Sequence, residues 1–256
     1  MSSDVEVTRS GRVLVATLAH PPVNALDDGL LLAIDDVLRT AVADAEIAVL
    51  HLRSSGKAFC AGADLRVMQS CFARPDGPED MLGLVERMQH VFARLEAAPV
   101  ITLAEIGGAA IGGGLELALA CDLRVAARTA KLGLSEARLG LLPAAGGTQR
   151  LTRLVGPGIA KRLILGAELV DGTEAERLGI VQWAREPSGL AAWTAELAAR
   201  IAALPKAALI ANKRCIAAEA DPWSDGYAEE LSATRRLYQQ DETRRKVADF
   251  LAKSAS

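Results

Sequence analysis

Two glutamates and a run of glycines carry the residue types that could do chemistry. Gly112-Gly113-Gly114-Leu115-Glu116 is placed where a strand is expected to hand over to a helix. Glycines there let a substrate oxygen approach backbone N–H groups left free at a helix start, so the segment can bind a developing oxyanion. They equally suit close packing of a helix on a strand, and spacing alone leaves both readings open. Glu116 falls in the first turn of that helix, where a carboxylate either serves a reaction or simply caps the helix and favours its dipole. Glu136, in Leu134-Ser135-Glu136-Ala137, is either a first-turn residue of a short helix or a solvated carboxylate. If the fold brings Glu116 and Glu136 together, the pair can divide proton donation from proton removal at one reacting carbon.

Other chemistries find less support. The chain has neither GxGxxG nor GxxxxGK[ST], so nucleotide-phosphate binding of those two kinds is disfavoured, and no GxSxG elbow marks an α/β-hydrolase. His20, His51 and His90 are far apart and belong to no metal-binding cluster, and His51 in an apolar strand is expected to be a core residue. Lys57, beside a glycine turn, could meet a phosphate or be a solvated loop lysine. Cys60, Cys71, Cys121 and Cys215 lack CxxC spacing and are expected to be reduced thiols.

The elements that would position these residues alternate. Val5 to Arg9 and Val13 to Leu18 are β-rich runs separated by Ser10-Gly11, which reads as a hairpin. From Asp27, a natural cap, to about Val42, the residues Leu30, Ile34, Val37, Leu38 and Ala41 recur at helical spacing. Ile47 to Leu52 is a buried-strand candidate, Gly56 to Gly62 a loop, Glu79 to Ala97 a helix, and Pro99 to Glu105 another buried strand. A glycine-rich turn, a short helix from about Gly113 to Ala120 and a strand from about Asp122 to Ala127 follow. Such alternation argues for an α/β class built of βαβ units. After Trp183 the segments 191–204, 206–220, 224–240 and 242–253 are nearly all helix-forming, punctuated by Pro205 and Pro222. Arg74-Pro-Asp-Gly-Pro78 is the one soft segment expected.

Composition narrows the class further. With 256 residues the chain can bury a sizeable core, and with aromatics at only 4% that core must come from Ala, Val, Leu and Ile. Lys plus Arg is 29 against 32 for Asp plus Glu, and the net charge of −3 gives no electrostatic footprint for nucleic acid or an anionic membrane. Charges interrupt every apolar run before it reaches membrane-spanning length, and the start shows no secretory pattern, so the expected address is cytoplasmic.

Three blocks together resemble the signatures of the enoyl-CoA hydratase/isomerase (crotonase) family. They are Lys57-Ala-Phe-Cys-Ala61-Gly-Ala-Asp64-Leu65, the segment from Gly108 through Gly113 and Glu116 to Asp122, and the segment from Glu136 through Pro143 to Leu151. Pro22-Val-Asn-Ala-Leu26 and the segment from Asp171 to Val181 look like two more, in the family's order. The resemblance implies a crotonase-like spiral of ββα/βαβ turns over residues 1–190 and a helical C-terminal region, 191–256, that makes trimer contacts. It implies an acyl-CoA thioester as substrate, with coenzyme A part of that substrate and no separate cofactor. Coenzyme A would lie against Ala25, Lys57, Ala61, Gly62, Ala63, Asp64, Leu65, Gly112, Gly113 and Pro143, and the stretch from Arg66 to Ala98 would line the acyl pocket. The thioester oxygen would be held by the N–H groups of Ala61 and Gly113. Glu116 and Glu136 match both carboxylate positions of hydratase members, Glu116 as base toward water and Glu136 as donor to the α-carbon. Isomerase members generally need one carboxylate, so both together favour hydration of a 2-enoyl-CoA over isomerisation. A non-catalytic acyl-CoA binder or an RNA-binding protein is the alternative of another class. A homotrimer or dimer of trimers is expected.

Overall fold

The computed structural model describes residues 4–254. Strands β1 (Val5–Ser10) and β2 (Val13–Leu18) form the expected antiparallel hairpin, with Val5 opposite Leu18 and Ser10 opposite Val13. Helix α1 (Asp28–Ala43) follows; Asp27 accepts the Leu30 N–H at 2.8 Å, and Leu30, Leu31, Ile34, Val37, Leu38 and Ala41 are buried. The cap satisfies one of the donors that a helix start leaves without an intrahelical partner.

The chain then alternates between two sheets. Strands β3 (Val49–Ser54), β5 (Ile101–Ile106), β7 (Leu123–Ala127) and, much later, β10 (Trp183–Arg185) enter a six-stranded sheet of order β1-β2-β3-β5-β7-β10, parallel from β2 onward. After each comes a short strand of a second sheet: β4 (Ala58–Cys60), β6 (Ala109–Ile111) and β8 (Lys131–Gly133). These three are parallel, and β9 (Val170–Asp171) closes the second sheet antiparallel to β8. Helices α2 (Leu65–Phe72) and α3 (Gly77–Ala97), then α4 (Gly113–Leu119), then α5 (Gly147–Leu165), carry the chain from each turn to the next. This is the spiral implied by the family resemblance. Glu136–Leu139 makes one turn of 3-10 helix before α5, which is itself broken at Gly156-Pro157. Helix α6 (Gly172–Arg177) and β10 complete the turns.

The central strand β5 is buried throughout, as a parallel strand covered on both faces must be, and its Thr102 is hydrogen-bonded. Thr102 Oγ1 bonds Asp122 Oδ2 at 3.0 Å, and Lys213 Nζ lies 2.9 Å from the same carboxylate oxygen. His51 is buried, with Nε2 3.1 Å from Glu105 Oε2 but outside hydrogen-bond alignment.

Helix α7 (Pro187–Ala202) packs on the large sheet through Leu190, Thr194, Leu197, Ala198 and Ala202. The next helices, α8 (Lys206–Ala218), α9 (Gly226–Tyr238) and α10 (Asp241–Ser254), match the expected helical tail and pack much less. Among the described residues α8 buries no side chain in the core and α9 only Ala233. Three expectations need correction. The loop expected at Gly56 to Gly62 contains β4, the glycine-rich turn before Gly112 contains β6, and Pro78 sits inside the first turn of α3 rather than in a soft linker. Strands of three residues are too short to show alternation, and proline suits a first helical turn.

Candidate active site

The ends of β4 and β6 meet where the backbone has no room for side chains. Gly62 has φ +91°, and a Cβ there would lie 2.9 Å from Ile111 O and 3.1 Å from Gly113 N. At Gly113 a Cβ would meet Met88 Cε at 2.8 Å, Leu26 Cδ1 at 3.0 Å and Gly62 Cα at 3.4 Å. At Gly114 it would come within 2.0 Å of Cys60 O. Gly114 thus seats α4 against β4, as the packing reading requires, while the Gly113 amide lies beside Gly62.

The assignment of Ala61 as an oxyanion donor needs correction. Its N–H already donates to Val23 O at 3.0 Å. Two residues on, Leu26 bridges Ala63 through Leu26 N to Gly62 O (2.8 Å) and Asp64 N to Leu26 O (3.2 Å), a pattern that leaves the Ala63 N–H outside the ladder. Among the described residues the amides of Ala63 and Gly113 donate to no backbone carbonyl. Ala63 lies in the same motif as Ala61, and only the backbone hydrogen bonds separate the two as donors.

Glu116 is buried and does not cap its helix. Its Oε1 accepts the Gly147 N–H at 2.7 Å, and a Cβ on Gly147 would lie 2.8 Å from that oxygen and 2.9 Å from Pro143 Cβ. Burial pushes its pKa up to about 7; the Gly147 amide opposes this, the Glu136 charge adds to it, and the Ala145 amide and the Arg150 charge oppose it. Glu136 opens the 3-10 turn, half-buried, and burial raises its pKa too. Its Oε1 lies 2.8 Å from where a Gly112 Cβ would stand, and Oε2 is buried with no hydrogen-bond partner among the described residues. Gly112, at φ +54°, is thus glycine both for its backbone and for the carboxylate beside it. The fold brings the two glutamates within electrostatic reach of each other, and an unpartnered carboxylate oxygen is what a reacting proton needs.

The remaining expected residues divide. Pro143 packs against Gly147 and Glu116's loop, and Ala25 sits between Asn24 and the bridging Leu26. Asn24 Nδ2 holds this turn through Ser54 Oγ (2.7 Å) and Phe59 O (3.0 Å). Asp64 Oδ1 caps α2 through the Arg66 N–H at 2.7 Å, and Leu65 begins that helix, exposed. The Lys57 carbonyl packs on Gly108, while the residue is exposed. Lys57, Asp64 and Leu65 form no hydrogen bond or ion pair with either glutamate. Met88 and Gln89 of α3 do reach the site: Met88 touches Gly113, and Gln89 Nε2 donates to Ala144 O at 2.6 Å. Both fall in the Arg66 to Ala98 stretch that the resemblance implies lines the acyl pocket, but neither belongs to a motif that would single it out. A hollow of about 540 Å³ between α4, α5 and α8, lined by Leu119, Leu154, Leu209 and Ile216, reaches neither glutamate.

The family model for enoyl-CoA hydratase/isomerase matches residues 8–255. A probable enoyl-CoA hydratase of Bacillus subtilis is 43% identical over 169 residues, 66% of this chain and 64% of that protein, so the chain spans slightly under two thirds of that relative's length. A short-chain-enoyl-CoA hydratase of Clostridium acetobutylicum is 37% identical over 84% of this chain and 81% of its own. Among solved structures, enoyl-CoA hydratase from Bacillus anthracis superposes with a TM-score of 0.90 at 31% identity, covering 98% of this chain and 96% of that one. The Pseudomonas aeruginosa protein DspI gives 0.90 at 35% identity, covering 98% and 95%. With the family model matched over nearly the whole chain and the spiral shared with these structures, the chain belongs to the enoyl-CoA hydratase/isomerase family.

Proposed function

We propose that the protein hydrates a 2-enoyl-CoA to a 3-hydroxyacyl-CoA, with coenzyme A carried by the substrate and no separate cofactor. The observation that carries this reading is the pair itself: Glu116 and Glu136, both raised in pKa, beside the free amides of Gly113 and Ala63. Isomerisation shuttles one proton and needs one carboxyl group; adding water requires a proton to be removed from water and another delivered to the α-carbon.

In this mechanism the thioester oxygen sits against the Ala63 and Gly113 N–H groups, where charge develops as the enolate forms. Each such donor is worth on the order of 10² to 10³ in rate. Glu116 takes the proton of the attacking water as its oxygen bonds the β-carbon, and Glu136 delivers its proton to the α-carbon. The productive arrangement is the one in which Glu116 is ionised and Glu136 protonated, a single proton held by the pair. The two titrate together, so kcat/KM is expected to be bell-shaped, its upper limb marking loss of the shared proton.

The same reading includes a homotrimer or a dimer of trimers. Its support is the tail, where Ile216, Trp223, Tyr227, Leu231, Tyr238, Val247 and Leu251 are exposed, Trp223 by 95%. Apolar surface on that scale marks an association face. Light scattering should give three or six subunits, and a monomer would count against it. Among the described residues no helix is long and apolar enough to cross a membrane.

The deciding test mixes the protein with crotonyl-CoA and follows loss of the conjugated-thioester absorbance, beside Glu116→Gln. Fast loss that the variant abolishes, surviving dialysis against a chelator, supports the two-carboxylate hydratase. No loss, together with turnover of a 3-enoyl-CoA, would put isomerisation in its place.

A further inference from the structure

Behind Glu116, on the far side of the loop that feeds it an amide, lies a second charged pair. The Arg150 side chain on α5 is only 9% exposed. Its Nε and Nη2 both reach Glu96 Oε2 of α3, at 2.9 and 2.8 Å, and its Nη1 donates to Ala145 O at 3.0 Å. The guanidinium presses on the loop: Gly146 has φ +103°, and a Cβ there would stand 2.2 Å from Arg150 Nη1. One residue further the chain turns the other way, and the Gly147 N–H meets Glu116 Oε1 at 2.7 Å. Two turns earlier on α3, Gln89 Nε2 holds the Ala144 carbonyl at 2.6 Å. The carbonyls of residues 144 and 145 are thus tied down on one side so that the amide of residue 147 is presented on the other.

We infer that Arg150, braced by Glu96, is a positioning residue for the catalytic base: it clamps the 144–147 backbone so that the Gly147 amide meets the Glu116 carboxylate. The inference rests on Glu116 being the base, and it gives α3 a role beyond lining the site, since Met88 of the same helix touches Gly113. Arg150 does not touch the reacting atoms. It acts through a hydrogen-bond donor and through its charge, both of which favour the ionised carboxylate. The charged groups facing Glu116 are Glu136 from the 3-10 turn and Arg150 from α5; those facing Arg150 are Glu96, which also has Arg153 at 3.9 Å. With Arg150 gone, the clamp and the positive charge facing Glu116 are lost, so Glu116 should hold its proton more tightly and be blocked as a base more of the time.

The test compares Arg150→Gln, Arg150→Lys and Glu96→Gln in the full-length protein, each checked for fold by circular dichroism and for assembly by light scattering. Two readouts are used: the pH profile of kcat/KM with crotonyl-CoA, and the Glu116 carboxyl titration followed by infrared difference spectroscopy in a Glu136→Gln background. Arg150→Gln should lower kcat about tenfold to a hundredfold with KM little changed, as misplacing a reacting group does. It should also move the Glu116 titration and the upper pH limb upward by roughly half a unit or more. Arg150→Lys keeps the charge and should restore most of the titration. If Arg150→Gln fails to fold, Glu96→Gln leaves the guanidinium in place but unbraced and should shift the titration in the same direction by less. A folded Arg150→Gln whose Glu116 titration is unmoved, or an unmoved Glu96→Gln where Arg150→Gln cannot be made, overturns the inference. A titration that moves while the rate profile does not would keep the clamp and remove Glu116 from the role of base.

Discussion

The two sheets of this protein divide labour unequally. The large sheet holds six-residue strands such as β3 and β5, whose side chains form the heart of the core, with Leu103 and Ile106 fully buried. The small sheet has strands of only two or three residues, so although Phe59, Cys60 and Leu132 are buried it contributes few side chains to the core. Yet the candidate site hangs on it. The carboxyl end of β4 leads to Gly62 and Ala63, that of β6 to Gly112 and Gly113, and that of β8 to Glu136. Parallel pairing brings those three ends to one edge, and ligands in α/β proteins gather outside the carboxyl ends of parallel strands. The lesson is that the large sheet supplies stability while a short, parallel sheet supplies register, fixing three loops relative to one another to within a hydrogen bond.

Glu136→Gln should break this division most visibly. It removes the donor at the end of β8 while leaving the fold in place, and we predict at least about a hundredfold loss of hydration, up to 10⁴-fold, with coenzyme A ester binding nearly intact. Unchanged turnover would show that the small sheet does not position the chemistry. Leu103→Ala in β5 probes the other sheet. Truncating a fully buried leucine should destabilise by about 2 to 5 kcal/mol, read from the denaturant midpoint, with kcat per folded protomer unchanged. A kcat that falls with stability would mean the sheets are coupled more tightly than their separation suggests.

The same division governs what the amino-acid sequence reveals. The face of α1, the hairpin, and the strands β3, β5 and β7 follow from apolar periodicity, because each buries enough residues to leave a pattern. Strands β4 and β6 leave none, so Gly56 to Gly62 looks like a loop until Gly108 and Gly114 are seen pressed on Lys57 O and Cys60 O, where a Cβ would lie at 2.0 Å in each case. Glu116 and Glu136 stand out by motif, but their convergence depends on pairing between β6 and β8, residues far apart in sequence. The choice between Ala61 and Ala63 turns on which amide a neighbouring carbonyl has already taken, and a motif carries no such information. Arg150 lies inside a recognisable block, yet its grip on Ala145 and Glu96 is visible only in three dimensions.

The smallest of these effects separates function from stability within one residue. Glu116 has a pKa of about 7 when folded, against 4.5 for the ordinary carboxyl group. The folded state therefore binds this proton more tightly than the unfolded chain does. Below pH 4.5 both states are protonated and the group contributes nothing. As pH rises from 4.5 toward 7 the unfolded chain ionises first, and stability falls by about 3 kcal/mol, remaining low at higher pH. Glu116→Gln abolishes that titration, so it should match the wild type in stability near pH 4.5 and exceed it progressively up to pH 8, even as it loses activity. Denaturant midpoints of the two proteins across this range check the sign. A constant offset would mean that the Gly147 amide, the Ala145 amide and Arg150 together hold the buried carboxylate ionised without penalty; a gap that widens with pH would show that the site keeps its base at the expense of the fold.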